Sequence, residues 1–218
     1  MTAFSISTPQ TTPRTVIYID GFNLYYGALK RTPNKWLNLD RLFRRMRPAD
    51  SIIKIRYFTA LVTGPSGPDQ QSYLSALATT PLVEIILGKF KKKGLICGLA
   101  ACSHSGKRLV EVQEEKRTDV NIAIYMLDDA YQDICDHFIL VSGDSDLVPA
   151  IRMIRQRFPQ KRITVYVPSQ NPTRGYAVEL RSAAHKHRDL PLNLLPISQF
   201  SSQLSDGAGG LIAKPSTW

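Results

Sequence analysis

Five short apolar runs, rich in β-branched and aromatic residues, alternate with longer amphipathic segments along this chain. Runs of this length bounded by turn-forming residues predict buried strands, and the segments between them have the periodicity of helices. A strand, a helix and a second strand in succession form a unit with parallel strands and a helix against the sheet. The sequence therefore predicts an α/β fold with a mostly parallel central sheet and helices on both faces. The predicted strands are residues 16–19, 52–61, 83–87, 138–141 and 163–167.

The composition along the 218 residues predicts one domain with an extension at each end. Residues 1–14 are rich in Ser, Thr and Pro, and we expect a disordered lead-in there. Residues 15–190 form the expected domain, interrupted at 88–113 by a basic, glycine-containing segment that predicts a small hairpin insertion. A last helix is expected within residues 173–186, and residues 191–218 are expected to form a loosely packed C-terminal extension and tail.

The bulk composition restricts the compartment and the partners. No run approaches the ~18 apolar residues that a membrane-spanning helix needs, and the first residues lack the apolar centre of a secretory signal, so no membrane association is expected. Three cysteines are too few for a disulfide framework and are typical of a reducing cytoplasm. A formal net charge of +10 favours a polyanionic partner, although many basic proteins bind no polyanion.

Three acidic clusters lie where predicted strands and helices meet. Asp20 follows the first strand, Asp144 and Asp146 follow the fourth, and Asp119 opens an amphipathic segment. The carboxyl ends of parallel strands meet at one edge of an open sheet, so these side chains are expected close together. Each also has an ordinary structural explanation, since Asp20 opens a turn, Asp119 complements a helix dipole and Asp144 caps a helix. The separate explanations require three coincidences at one edge of the sheet, whereas a single shared site accounts for all three acidic clusters.

Four carboxylates at one edge repel one another unless a cation lies between them. Mg²⁺ and Mn²⁺ prefer oxygen ligands of this kind, and such ions activate water and stabilise the leaving oxygen in phosphodiester hydrolysis. Asn23 is the candidate to orient that water or a metal-bound ligand, and Ser142 places a hydroxyl beside the same turn. The residues expected to hold Mg²⁺ or Mn²⁺ are Asp20, Asp119, Asp144 and Asp146.

Basic and aromatic residues near the clusters are candidates for binding a nucleic-acid backbone. Phe90 adjoins a run of lysines at 91–93, and lysines combined with a stacking ring are a usual arrangement for single-strand binding. The same run fits a charged edge that protects the hairpin equally well. Lys116 and Arg117 precede Asp119 and are better placed to meet a phosphate. The residues expected to contact nucleic acid are Phe90, Lys91, Lys92, Lys93, Lys116, Arg117 and Ser142.

Three ordered segments of the chain resemble the NYN domain family, which belongs to the PIN-like nuclease superfamily. They are TVIYIDGFNLYY at 15–26, EEKRTDVNIAIYML at 114–127 and HFILVSGDSDLVPAI at 137–151. The resemblance spans residues 14–167 and implies a three-layer α/β sandwich around a mostly parallel sheet. It also implies metal-dependent ribonuclease activity, with the four aspartates as the acidic centre and Asn23 at the family's motif asparagine. The choice of RNA over DNA comes from the resemblance alone.

The EEK segment before Asp119 resembles one bacterial branch of the family, in which the preceding hairpin often carries closely spaced cysteines. Here Cys97 and Cys102 are separated by four residues, with His104 nearby. Structural zinc usually takes four ligands, and these residues supply three at most. Zinc in the hairpin is therefore the less favoured interpretation, and a hairpin with free thiols is the alternative.

Three functions are open from the sequence. The first is a ribonuclease that uses an aspartate-held Mg²⁺ or Mn²⁺ to hydrolyse RNA phosphodiester bonds. The second is a non-catalytic RNA-binding or regulatory module, against which the complete acidic set argues. The third, less favoured, is hydroxylation of small aromatic compounds, to which bacterial NYN proteins have been linked, although the chain has no GxGxxG fingerprint. We expect a cytoplasmic protein, with a homodimer through an exposed helix face as a candidate assembly.

Overall fold

The computed structural model describes residues 12–98, 109–171 and 177–218, with only the backbone of 109 and 110. No helix in these ranges has both the length and the apolar character needed to cross a membrane. The strands are β1 (Arg14–Asp20), β2 (Ser51–Thr59), β3 (Val83–Leu87), β4 (Lys89–Ile96), β5 (Leu109–Lys116), β6 (His137–Val141), β7 (Arg162–Val167), β8 (Lys186–Asp189), β9 (Gln203–Ser205) and β10 (Leu211–Ala213). The helices are α1 (Gly21–Leu24), α2 (Leu39–Met46), α3 (Gly67–Ala78), α4 (Thr118–Tyr131), α5 (Val148–Arg157) and α6 (Val178–Ala183).

Within the described ranges, six strands form one sheet in the order β3-β2-β1-β6-β7-β8, and every neighbouring pair is parallel. The predicted α/β class with a parallel central sheet is therefore confirmed. The chain adds β2 and β3 on one side of β1, and β7 and β8 on the far side of β6. Open α/β sheets bind ligands outside the carboxyl ends of their strands at such a reversal of strand order. Asp20 ends β1 at this point, and Ser142 directly follows β6.

The central strand β1 is buried on both faces. Ile17 and Ile19 belong to the core that is covered by α2 and α3. Val16 and Tyr18 belong to the second core, under α4 and α5. A strand that is buried on both faces has a continuous apolar sequence. The sequence therefore predicts β1 clearly. The strand carries Asp20, its last residue, from the core to the edge of the sheet.

A buried ion pair anchors α4 to the sheet. Arg56 on β2 is 6% exposed, and its Nη2 donates to Asp129 Oδ1 at 2.7 Å. The Tyr18 hydroxyl donates to the other oxygen of Asp129 at 2.5 Å, and the guanidinium carbon of Arg56 lies 4.5 Å from the centre of the Tyr125 ring. Removing one partner of such a pair leaves a buried charge without compensation. The pair therefore fixes the helix that carries Asp119 in its first turn.

The strands β4 and β5 form a separate antiparallel sheet outside the main one. In its register Phe90 pairs with Glu115. The chain leaves β5 and enters α4 through Arg117, whose backbone is left-handed with φ 83°. This sharp change of direction keeps Glu115, at the end of the hairpin, close to Asp119 in the first turn of the helix.

The prediction of a helix within residues 173–186 is wrong in its extent. Residues 172–176 lie outside the described ranges, and the helix that follows them is the short α6. Beyond α6 the chain forms β8, a sixth parallel strand that pairs with β7. All four residues of β8, with the sequence KHRD, are exposed. An exposed, charged edge strand lacks the apolar alternation by which a half-buried strand is recognised.

The segment after β1 is helical, but its winding changes along its length. It is α-helical only in α1 and continues as a π-helix over Tyr25–Leu29. Gly27 lies in this π-helix, and a Cβ there would lie 2.1 Å from the carbonyl oxygen of Pro168. Only glycine permits so close an approach of two backbone segments. Segments of π-helix are rare, and they occur frequently at functional sites.

The C-terminal extension packs on the core under α3 and beside the residues before α2. Phe200 is buried, and the Trp218 ring lies 6.3 Å from Trp36 and 5.7 Å from Tyr73, measured between ring centroids. The strands β9 and β10 pair as a short antiparallel ribbon. Isolated aromatic residues make this packing, and they produce no periodic pattern from which the sequence could predict it.

Candidate functional site

Asp20 is the most buried of the acidic residues expected at the site. Its surface is 3% exposed, and one carboxylate oxygen accepts the backbone N–H of Asn23 at 2.9 Å. The other oxygen accepts the Ser142 hydroxyl at 3.1 Å. Burial raises the pKa of Asp20 above its ordinary value because desolvation disfavours the charged form, and the charge of Asp144 acts in the same direction. Asp20 also caps α1, so its structural explanation holds together with its place in the cluster.

The Asn23 side chain joins the ends of the two central strands. Its Nδ2 donates to Asp20 Oδ2 at 2.5 Å, and its Oδ1 accepts the N–H of Gly143 at 3.1 Å. A Cβ at position 143 would lie 3.3 Å from the same Oδ1, so a side chain there would press on the amide. Asn23 therefore holds the loop after β6 in position against the end of β1.

The loop after β6 carries Ser142 and two further aspartates. Ser142 is fully buried, and its hydroxyl oxygen accepts the N–H of Asp144 at 3.1 Å. Asp144 is half-buried, and its Oδ1 accepts the N–H of Asp146 at 2.9 Å. This bond caps the 3₁₀-helical turn Ser145–Leu147. Asp146 is exposed. The capping role that the sequence offers for Asp144 thus coexists with its place beside the other acidic residues.

Asp119 lies in the electric field of the other three aspartates. It is half-buried in the first turn of α4. Its pKa is raised from 3.8 to about 6, by burial first and then by the charges of Asp20, Asp144 and Asp146. The N-terminus of a helix favours a negative charge and acts in the opposite direction. The structure therefore places Asp119 within electrostatic range of the other three aspartates that the sequence predicts at this edge.

Glu115 is a fifth carboxylate at the same edge, and the sequence patterns assign it no role. It lies near the end of β5 and accepts a hydrogen bond from the Thr118 hydroxyl. Burial, together with the charges of Asp20 and Asp119, raises its pKa from 4.5 to about 7, against the effect of the Thr118 hydrogen bond. The one signal in the sequence is its position four residues before Asp119, across the turn that opens α4.

The chemistry of this donor set fits a hard divalent cation. Carboxylate oxygens are the ligands that Mg²⁺ and Mn²⁺ prefer, and a bound cation would offset the repulsion that, after burial, raises the pKa values of Asp119 and Glu115. In the described parts of the chain, no three Asp, Glu, His or Cys side chains already form a ligand set around one point. Binding an ion here therefore requires some of these side chains to turn, while Asn23 and Ser142 keep Asp20 in place.

The hairpin lysines are partly paired with glutamates. Lys92 Nζ lies 3.0 Å from Glu111, and Lys93 Nζ lies 3.5 Å from Glu114. Lys116 Nζ lies 2.9 Å from the same Glu114. These pairs fit the alternative in which the run forms a charged edge. Exposed pairs of this kind contribute little to stability, so they leave the lysines accessible to another anion, and nucleic-acid contact stays a prediction for them.

Phe90, Lys91 and Arg117 differ in their surroundings. The Phe90 ring packs edge-to-face on the Phe22 ring with centroids 5.5 Å apart, beside the motif that holds Asn23. Lys91 is exposed on β4. Arg117 is exposed at the turn between β5 and α4. Phe90 is thus attached to the acidic edge of the molecule, whereas the nucleic-acid contacts of Lys91 and Arg117 stay predictions.

The candidate zinc ligands are only partly covered by the structure. Cys97 follows β4 as a half-buried free thiol. Cys102 and His104 lie outside the described residues. A zinc ion in the hairpin therefore stays a prediction that the described part of the chain does not test.

The six-stranded parallel sheet with helices around it defines an α/β protein and is consistent with a PIN-like sandwich. Residues 14–192 match the NYN domain family, and the chain therefore belongs to the NYN domain family. This match does not distinguish a bacterial branch within the family, so the branch suggested by the EEK segment stays a prediction.

Two known proteins are similar to the chain over most of its length. The 6-hydroxy-3-succinoylpyridine 3-monooxygenase HspA of Pseudomonas putida is 32% identical over 207 residues of alignment, which cover 81% of this chain and 66% of that protein. The chain thus spans just under two thirds of the length of this relative. A crystal structure of a Vibrio parahaemolyticus protein of unknown function has a TM-score of 0.53 and 20% identity, and the match covers 84% of this chain and 96% of that one. The second likeness supports the fold alone.

Proposed function

We propose that this protein is a metal-dependent ribonuclease that hydrolyses RNA phosphodiester bonds at the acidic edge of its sheet. The observation that carries the proposal is the hydrogen-bond network at this edge, in which Asn23 and Ser142 hold Asp20 and Asn23 also holds the loop of Asp144. The pKa of Asp119, raised by burial and then by the charges of the other three aspartates, supports it. Carboxylates that destabilise one another at a ligand-binding edge are typical of functional sites. Membership of the NYN domain family supports phosphodiester chemistry at that edge.

The proposed metal ligands are the four aspartates of the cluster. A Mg²⁺ or Mn²⁺ ion bound there would supply an activated water and stabilise charge on the leaving oxygen of the phosphodiester. Asp20 is held in one orientation, because Asn23 and Ser142 donate hydrogen bonds to both of its carboxylate oxygens. Asn23 also keeps the loop of Asp144 at a constant distance from Asp20, through its bond to the N–H of residue 143. Positioning of this kind decides whether a water is aligned with the phosphorus.

The proposed substrate is RNA: the basic charge of the chain supports a nucleic acid, and the choice of RNA over DNA comes from the resemblance to the NYN family. The net charge of +10 attracts a phosphate backbone. The proposed backbone contacts include Ser142 beside Asp20 and the basic and aromatic residues of the hairpin and the turn after it. Those residues are Phe90, Lys91, Lys92, Lys93, Lys116 and Arg117.

Cleavage of labelled RNA in Mg²⁺ or Mn²⁺ tests the proposal. The Asp144→Asn variant removes one charge of the cluster and keeps an oxygen that can cap the following turn, so it should fold and lose metal-dependent cleavage. Asp128→Asn is the matched control, because Asp128 is exposed on the opposite half of α4, and it should cleave like the wild type. Equal cleavage by Asp144→Asn and the wild type would contradict the proposal. Binding of RNA by the wild type without cleavage in any of a series of divalent ions would identify the non-catalytic module instead.

Hydroxylation of a small aromatic ring is the second candidate function. It is favoured by the 32% identity to a protein named a 6-hydroxy-3-succinoylpyridine 3-monooxygenase, of which this chain spans 66%. Turnover of that pyridine would consume O₂ and a reductant such as NADH. Such turnover by the purified chain, undiminished in Asp144→Asn, would replace the ribonuclease proposal. Absence of turnover, together with metal-dependent RNA cleavage, would remove this second candidate.

A further inference from the structure

A cavity of about 320 Å³ adjoins the acidic cluster at the edge of the sheet. Two of its lining residues are Asn23 and Gly143, whose hydrogen bond joins the ends of β1 and β6. Its other walls come from Tyr26 and Gly27 on the π-helix and from residues 167–171, at the end of β7 and in the loop that follows it. Because Asn23 also contacts Asp20, the cavity and the carboxylates share one wall.

Close contacts fix the π-helix against the loop after β7, and these two segments form one side of the cavity. Gly27 lies so close to Pro168 that a Cβ on it would be 2.1 Å from the proline carbonyl oxygen. The backbone N–H of Gln170 donates to the Gly27 carbonyl at 2.9 Å, and its Nε2 donates to the Lys30 carbonyl at 3.0 Å. A cavity with fixed walls loses little conformational entropy when a ligand enters, which is the usual property of a binding site.

A row of three aromatic rings leads from this cavity to the hairpin. Tyr26 is 59% exposed, and its ring is stacked with that of Phe22, with centroids 6.3 Å apart and planes 20° apart. Phe22 in turn meets Phe90 on β4 at 5.5 Å. Lys30 Nζ lies 4.6 Å from the centre of the Tyr26 ring. Phe22 and Phe90 are half-buried, so Tyr26 is the exposed ring of the row. An exposed ring beside a cation is the arrangement on which a base of a single strand stacks while its phosphate meets the positive charge.

We propose that Tyr26 and the cavity beside it hold a base of single-stranded RNA, next to the phosphate that the aspartates act on. The choice of RNA rests on the ribonuclease function proposed above. A polynucleotide fits this surface better than one small aromatic molecule, because the row of rings continues past Tyr26 to Phe90 and to the lysines at 91–93. A duplex fits it poorly, because paired bases stay stacked within the helix and cannot reach a protein ring.

The test is a binding titration, separate from cleavage, with a short fluorescein-labelled oligouridine followed by fluorescence anisotropy. All variants carry Asp144→Asn, and gels of the same samples report whether the RNA stays intact. Adding Tyr26→Ala should weaken binding about tenfold, the usual cost of losing one stacked base. Tyr26→Phe keeps the ring and should bind within about twofold of its parent. Tyr131→Ala is the matched control, because Tyr131 is also 59% exposed but lies at the end of α4, and it should bind like its parent.

An abasic oligonucleotide of the same length distinguishes base stacking from backbone attraction. Its binding should be weaker than that of oligouridine and insensitive to Tyr26→Ala. Equal losses for the two oligonucleotides, or unchanged binding of oligouridine by Tyr26→Ala, would overturn the proposal even if the wild type cleaves RNA. Base-dependent binding through Tyr26 by a wild-type protein that cleaves nothing would support this surface while contradicting the ribonuclease proposal.

Discussion

Replacing Asp119 by asparagine should make the metal-free protein more stable at neutral pH. Asp119 is half-buried beside three other aspartates, and its pKa is raised from 3.8 to about 6. A carboxyl with a raised pKa in the folded state binds a proton more tightly there than in the unfolded chain. Its contribution is therefore most favourable at low pH and is lost as the pH rises from the unfolded pKa through the folded one. Asparagine keeps the size of the side chain and removes the charge that causes this loss.

The expected gain in the free energy of unfolding is about 1 kcal/mol at neutral pH. At 1.36 kcal/mol for each pKa unit, the full difference corresponds to about 3 kcal/mol, which is an upper bound. Solvent and salt screen the repulsion because Asp119 is only half-buried. Asparagine also gives up a favourable interaction with the N-terminus of α4, worth about 0.5 kcal/mol. Below about pH 3 the carboxyl is largely protonated in both states, so the gain should disappear there.

Urea unfolding in the presence of a chelator, followed by the fluorescence of the buried Trp36, measures the free energy of unfolding of the variant and the wild type. The measurement is made at neutral pH and again at the acidic pH where the gain should disappear. Asp69→Asn is the control, because Asp69 occupies the first turn of another helix, α3, which packs against β3 and β10. It should produce no gain at either pH. If Asp119→Asn is no more stable than the wild type at neutral pH, the carboxylates do not repel one another as the structure indicates.

Three further substitutions test the packing around the site. Gly27→Ala should destabilise the fold by at least about 2 kcal/mol in thermal unfolding, since its methyl group would meet the Pro168 carbonyl oxygen at 2.1 Å; an unchanged melting temperature would contradict that contact. Arg56→Met should cost about 3–5 kcal/mol in urea, because it leaves Asp129 buried without its partner. Trp218→Ala should cost about 2 kcal/mol and increase proteolysis of the C-terminal extension, because the ring packs on two buried aromatic residues. Wild-type stability of either variant would refute the corresponding account.

The sequence predicts the acidic edge because the relevant information is local. Asp20 and Asp144 each follow an apolar run, and parallel neighbours necessarily bring such positions together. Their hydrogen-bond partners are also close in sequence to the two motifs, as Asn23 and Ser142 show. The sequence therefore provides the main chemical features of the site before any tertiary contact is known.

The remaining features depend on contacts between distant segments. Glu115 joins the cluster because the turn at Arg117 holds the end of β5 near Asp119 and the distant Asp20, and no pattern within β5 records that placement. The strand β8 is exposed at the edge of the sheet, so its charged sequence carries no strand signal. The π-helix places Gly27 in close contact with Pro168, and these residues are far apart in the chain. A single sequence does not show any of these three relations.

Diffraction from crystals grown with Mn²⁺ tests the central claim most directly. Anomalous scattering locates manganese without reference to the protein coordinates. The account predicts a manganese peak bound by carboxylate oxygens of Asp20, Asp119 and Asp144, and no such peak in crystals of Asp144→Asn. Crystals of the wild type that show no manganese between these residues, at a Mn²⁺ concentration that supports RNA cleavage, would contradict the assignment of the acidic edge as the metal centre.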